Sequence, residues 1–200
     1  MEHRLPAWRS ILFVPAHVSR FVDKAHERGS DAIALDLEDS VPLEQKAEAR
    51  QELPQAIEQA GQGGAGIVVR INSNLRDAAA DLECAVVPGV HAICVPKVMG
   101  ASQLQWIADC VTELEIGQGI PVGQVRLVAM LESVEALRHL DGIARSTPRL
   151  AAMTLGSEDF AASAGMQSEP DGLLAPNQQV VFAARAAGIL PLGFVGSIGD

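Results

Sequence analysis

The sequence predicts an α/β fold of parallel strands and covering helices, and three observations lead there. Apolar runs of five or six residues recur, such as Leu127-Val128-Ala129-Met130-Leu131, each with the pattern of a strand buried on both faces. Helical stretches separate the runs, so that strand and helix alternate seven times along 200 residues. Charged and polar residues follow the runs directly, at the strand ends where α/β enzymes place their chemistry.

The first strand is Ser10 to Pro15, and a helix from Phe21 to Arg28 is closed by Gly29, which suits the left-handed residue past a helix end. Ala32 to Leu37 is the second strand, followed by Glu38-Asp39-Ser40. Pro42 opens a helix rich in Glu, Gln, Lys and Ala that reaches about Ala60, with Pro54 as a possible point of breakage. Ile67 to Ile71 is strand three, and a short helix spans Arg76 to Ala85. Ala92 to Pro96 is strand four, with Lys97 at its end. Leu104, Ile107, Val111 and Leu114 mark one face of the next helix.

Strand five is the run ending at Leu131, and Ser133 suits the N-cap of a helix from Val134 to Ile143. Leu150 to Leu155 is strand six, leading into Gly156-Ser157-Glu158-Asp159. A polar segment with Pro and Gly covers Ser168 to Pro176, and a helix follows from Asn177 to Ala187 with Gly188 beyond it. Ile189 to Val195 reads as a seventh strand.

Parallel strands form an open sheet or a closed barrel. Functional-looking side chains end strands two through six, which favours a barrel over a sheet with one switch point. No glycine-rich dinucleotide fingerprint follows strand one and no P-loop appears, so an open nucleotide-binding sheet lacks its signature. The expected fold is therefore of the (β/α)8 TIM-barrel type, truncated after about the seventh strand, with residues 1–200 as one incomplete domain. A full barrel takes about 250 residues. The chain is thus expected to be a fragment of a longer one.

Composition narrows the function. An apolar fraction of 48% is ample for a core. A net charge of −10 argues against nucleic acid, which needs clustered Lys and Arg. An anionic small molecule stays open, served by local basic residues. No apolar run is long enough for a membrane span, and the N-terminus lacks the pattern of a signal peptide, so a cytoplasmic protein is expected. Cys84, Cys94 and Cys110 lack metal-site or redox spacing and read as buried or half-buried thiols. Tyrosine is absent, so no phenol serves as acid or base.

Four sets of residues could carry chemistry. Glu132 and Asp159 end neighbouring apolar strands and could share a hard cation such as Mg²⁺, which takes few protein oxygens and leaves room for a chelating substrate. The plainer alternative is that each begins a helix. Arg70 lies in a strand that should be buried, so it needs partners: a substrate oxygen, or a structural ion pair with a strand-two carboxylate. Asp36 and Glu38 point to the same side under strand periodicity and could orient Arg70, Lys97 or metal-bound water. Lys97 could neutralise an anion; a Schiff-base role is redundant beside a metal pair.

These residues together carry a resemblance. Arg9-Ser10-Ile11-Leu12-Phe13-Val14-Pro15, Leu35-Asp36-Leu37-Glu38-Asp39-Ser40-Val41, Val69-Arg70-Ile71-Asn72, Val95-Pro96-Lys97, Leu131-Glu132-Ser133 and Gly156-Ser157-Glu158-Asp159 occur in that order. The set resembles the HpcH/HpaI aldolase and citrate lyase β-subunit superfamily, nearest its citrate lyase β-like branch. That resemblance implies a (β/α)8 barrel, a homo-oligomer (trimer or hexamer), and cleavage or formation of a C–C bond with Mg²⁺, or Mn²⁺ in its place. It implies a CoA thioester substrate of the citryl-, malyl- or citramalyl-CoA kind. It makes Glu132 and Asp159 the metal ligands and Arg70 the arginine on the substrate. Phe13 and Arg20 fall where relatives contact the acyl-CoA, although the usual Pro-Gly is here Pro15-Ala16. Relatives close the barrel with an eighth strand, and some add a C-terminal segment that supplies an acid to a neighbouring subunit. Two other readings stand beside the acyl-CoA lyase: an aldolase on free hydroxy-keto acids with pyruvate as product, and a non-catalytic scaffold paralogue.

Overall fold

A computed structural model describes residues 5–193, and the chain separates into two compact units. Among the described residues, one holds 7–94 and 109–126; the other holds 5–6, 95–108 and 127–193. Within each unit the strands are parallel neighbours in chain order, so the α/β class predicted from the sequence is observed.

The first unit carries β1 (Ile11–Pro15), β2 (Ala32–Asp36), β3 (Gly66–Arg70) and β4 (Val90–Val95). Every residue of β2 is buried, as expected of a strand covered on both faces. The register places Pro15 opposite Asp36 and Asp36 opposite Arg70, so these side chains lie level at the C-terminal strand ends. Outside the strands run α1 (Ser19–Ala25), α2 (Lys46–Gly61) and α3 (Leu75–Ala85). Asn74 caps α3 by accepting from the Asp77 N–H at 3.0 Å. Gly29, with φ of 71°, turns the chain after α1 and its closing 3₁₀ turn, as the sequence predicts.

α4 (Ala101–Gln118) begins in the second unit and ends in the first. The second unit carries β5 (Arg126–Leu131), β6 (Leu150–Leu155) and the two-residue β7 (Leu190–Pro191). Its helices are α5 (Val134–Arg138), α6 (Leu140–Ala144), α7 (Ser157–Ala164) and α8 (Pro170–Ala186).

Four sequence expectations are corrected. α2 runs through Pro54 without breaking, because Pro54 lies on the exposed face, where water can meet the carbonyl its ring leaves unpaired. The helix predicted from Val134 to Ile143 is two short helices, parted at His139, whose φ of −115° is not helical. α8 starts at Pro170 and not at Asn177: Pro170 takes the first helical position, where a missing N–H costs nothing, and Pro176 is carried inside. β7 is far shorter than predicted within the described residues, and Phe194 and Val195 of the expected strand lie outside them. No helix among the described residues is long and apolar enough to cross a membrane.

Candidate functional site

Each unit gathers polar side chains at the C-terminal ends of its strands. In the first unit the centre is Asp36, which is 1% exposed. Its carboxylate accepts from Arg70 Nε and Nη2, both at 2.7 Å, a forked pair in the geometry that arginine and carboxylate favour. It also accepts from the Glu38 N–H at 2.9 Å, the Ser40 N–H at 3.1 Å and the Ser40 hydroxyl at 2.5 Å. Burial pushes the Asp36 carboxyl up, but the Arg70 guanidinium and the other donors outweigh it and hold the group below the usual carboxylate range. Arg70 is the mirror case. Burial alone would favour loss of its proton, and the Asp36 carboxylate reverses that, so its pKa is raised.

The remaining nitrogen, Arg70 Nη1, faces Glu38 Oε2 at 3.3 Å and Asp39 Oδ2 at 3.6 Å. The guanidinium stands 5.4 Å from the centre of the Phe13 ring, within cation–π range. The structure thus joins four of the predicted residues: Phe13, Asp36, Glu38 and Arg70. The structural ion pair with a strand-two carboxylate, one of the two readings of Arg70 from sequence, is present. Arg20 is not part of the group; it is exposed on α1 and stacks on Phe21 at 4.7 Å.

Two supports of this group carried no sequence signal. Lys46, the first residue of α2, donates from Nζ to the carbonyls of Leu37 at 2.8 Å and Glu38 at 2.6 Å. Burial lowers its pKa against the pull of Asp36 and Glu38. Behind them, the buried Asp81 of α3 accepts from the Asn72 N–H and side-chain amide at 2.7 Å each, and from Arg50 Nε at 2.6 Å. α2 and α3 are thereby fastened to the segment that follows Arg70.

In the second unit the centre is Glu132, the first residue after β5, 7% exposed. Ser133 next to it caps α5, accepting from the Ala136 N–H at 3.2 Å, as the sequence predicts. Glu132 Oε2 accepts the Lys97 N–H at 2.5 Å. Lys97 is the only described residue besides glycine with a positive φ, 51°, and this conformation sits where β4 has just ended. Its ammonium lies 3.4 Å from Asp159 Oδ2. Asp159 is in the first turn of α7 and not on a strand. Its place near a helix N-terminus still suits a carboxylate.

An oxygen of Glu132 and an oxygen of Asp159 lie within 4.8 Å of each other. Two oxygens bound to one Mg²⁺ at 2.0–2.1 Å span at most about 4.2 Å, so a small movement brings both onto one ion. The donors are hard oxygens, with no thiolate or imidazole among them, which fits Mg²⁺ and not zinc. The residues present therefore fit the group.

The sequence matches the family HpcH/HpaI aldolase/citrate lyase over residues 9–197. The chain belongs to this family. A citrate lyase subunit beta of Leuconostoc mesenteroides subsp. cremoris is 33% identical over 184 residues, covering 90% of this chain and 61% of the relative. A (3S)-malyl-CoA thioesterase of Cereibacter sphaeroides is 33% identical over 192 residues, covering 94% and 63%. The chain thus spans about three-fifths of the length of these two relatives. Among solved structures, protein CitE of Mycobacterium tuberculosis in complex with magnesium, acetoacetate and coenzyme A superposes with a TM-score of 0.69 at 27% identity. That match covers 98% of this chain and 68% of the other.

Proposed function

We propose that the protein is a Mg²⁺-dependent carbon–carbon lyase that cleaves or forms a hydroxyacyl-CoA thioester such as citryl-, malyl- or citramalyl-CoA. The observation that carries this reading is the approach of the Glu132 and Asp159 oxygens to within 4.8 Å, in a chain of the citrate lyase family. The names of its relatives and the magnesium, acetoacetate and coenzyme A bound by CitE point the same way. In this reading the domain is a (β/α)8 barrel, the enzyme a cytoplasmic homo-oligomer, and Mn²⁺ a substitute for Mg²⁺.

Glu132 and Asp159 would hold the cation. Bound there, it would supply Lewis acidity, lowering the pKa of a substrate hydroxyl. Arg70 keeps its charge at every working pH and is fixed by Asp36, so it can meet the oxyanion that develops on the departing acyl fragment without reorganising. A fixed donor of this kind is often worth about 3 kcal/mol. Glu38 shares the orientation of Arg70 with Asp36. Lys97 would neutralise a substrate carboxylate, and Phe13 and Arg20 would contact the acyl-CoA.

The test is a cleavage assay over hydroxyacyl-CoA thioesters and free hydroxy-keto acids, with Mg²⁺ or with EDTA, and with product analysis. The expected result is Mg²⁺-dependent release of a shorter acyl-CoA and an oxo acid, and its loss in Glu132→Gln with the fold retained. Activity that survives EDTA, or a Glu132→Gln protein at full rate, overturns the metal assignment. Release of free CoA with the hydroxy acid intact favours thioester hydrolysis, the reaction named for the Cereibacter relative. Cleavage of free hydroxy-keto acids alone favours a pyruvate-type aldolase, and turnover of no substrate a scaffold role.

A further inference from the structure

We infer that Gly156 and the backbone of Lys97 are positioning residues that together fix the Glu132 carboxylate, and so determine how tightly the protein takes a divalent cation. The inference rests on the reading of Glu132 as a metal ligand.

Gly156 follows β6 and precedes α7. Its φ of −80° and ψ of 100° are open to any residue, so backbone conformation does not call for glycine here. Space does. A Cβ at this position would stand 2.5 Å from Glu132 Cγ, 2.7 Å from Oε1 and 3.0 Å from Cδ. The Gly156 backbone is held on both sides, its N–H donating to the Leu131 carbonyl at 2.9 Å and its carbonyl accepting from the Phe160 N–H at 3.0 Å. An added methyl therefore moves the glutamate and not the backbone.

The opposite side of the carboxylate is set by Lys97. Its positive φ is uncommon for a residue with a side chain, and it accompanies the N–H aimed at Glu132 Oε2 at 2.5 Å. The next residue, Val98, donates to the Met130 carbonyl at 3.1 Å, which ties this turn to β5. Glu132 thus rests on glycine on one side and is gripped by an amide on the other. A hydrogen bond or contact that orients a ligand in this way typically governs metal affinity by 10–100-fold.

Two measurements test this. Mn²⁺ binding, followed by electron paramagnetic resonance of the free ion, is expected to weaken by about 10–100-fold in Gly156→Ala while the thermal melt of the metal-free protein stays near wild type. Amide hydrogen exchange in metal-free protein is expected to show Lys97 exchanging at least about tenfold faster in Gly156→Ala and in Glu132→Ala than in wild type, with Val98 unchanged. Gly156→Ala binding Mn²⁺ within about twofold of wild type, while Glu132→Gln does not bind, overturns the inference and leaves the metal reading standing. Glu132→Gln binding as wild type removes both. Should Gly156→Ala not fold, equal exchange of Lys97 in wild type and Glu132→Ala overturns the inference by itself.

Discussion

Replacing Asp36 with asparagine tests how Arg70 is held. The substitution keeps the shape of the side chain and removes its charge. The Arg70 guanidinium, 13% exposed, then loses the charged partner of its Nε and Nη2, while Glu38 at 3.3 Å and Asp39 at 3.6 Å stay beside it. Breaking a buried pair from one side costs about 3–5 kcal/mol. The two remaining acids, and an asparagine oxygen still able to accept from the Glu38 N–H, place the loss near ~3 kcal/mol. At a urea slope of ~2–3 kcal/mol per molar, the midpoint should fall by ~1 M or more. The pH dependence fixes the sign. The folded-state Asp36 carboxyl lies below its ordinary value, so its stabilisation is fully present above the unfolded pKa of about 3.9 and disappears as pH falls through the lower folded value. The gap between wild type and Asp36→Asn should therefore be constant near neutrality and close in strong acid. Urea titrations followed by circular dichroism at pH 7 and below pH 4 measure both. A midpoint within ~0.3 M of wild type at pH 7 would refute the view that Asp36 holds Arg70.

Three further outcomes are expected. Arg70→Lys should lower kcat/KM by about 100-fold or more and cost less stability than Asp36→Asn, because an ammonium keeps the charge beside Asp36 but cannot reproduce the fork; steady-state kinetics on the substrate that the cleavage assay identifies, with urea unfolding, reads this. Asn74→Ala should cost about 1 kcal/mol in urea unfolding by removing the cap of α3. Burial raises the Cys84 thiol to about 11, so its alkylation by iodoacetamide at pH 8 should run about 100-fold or more slower than that of a free cysteine.

The strands were legible because a covered parallel strand needs little more than a short apolar run, and β2 and β5 are such runs. Asp36 and Glu38 both meet Arg70, but not through strand alternation: β2 ends at Asp36, and Asp39, which alternation would send the other way, faces Arg70 as well, so the turn after the strand gathers the acids. That Asp36 would be the forked partner depends on the register between β2 and β3, which no single strand records. Glu132 and Ser133 were readable as a strand end followed by a cap. The interior prolines misled, because Pro54 and Pro176 break helices only where the freed carbonyl has no water or other partner. Gly156 gave no signal at all. A glycine that makes room for a neighbour's carboxylate looks in sequence like any glycine before a helix, and the reason for it appears only when β5 and β6 lie side by side.

The ammonium of Lys46 on the Leu37 and Glu38 carbonyls bears on how this family can diversify. The chain between β2 and α2 is tied across by this side chain, anchored at the first residue of the helix, and by the bonds of Ser40 to Asp36. A one-residue insertion between Ser40 and Gln45 would carry that anchor away from its carbonyls. The turn at Gln62 to Gly64, at the opposite end of the strands, has no such tether among its described contacts beyond its own turn bonds. Length variation should therefore be accepted better at this turn than beside Asp36.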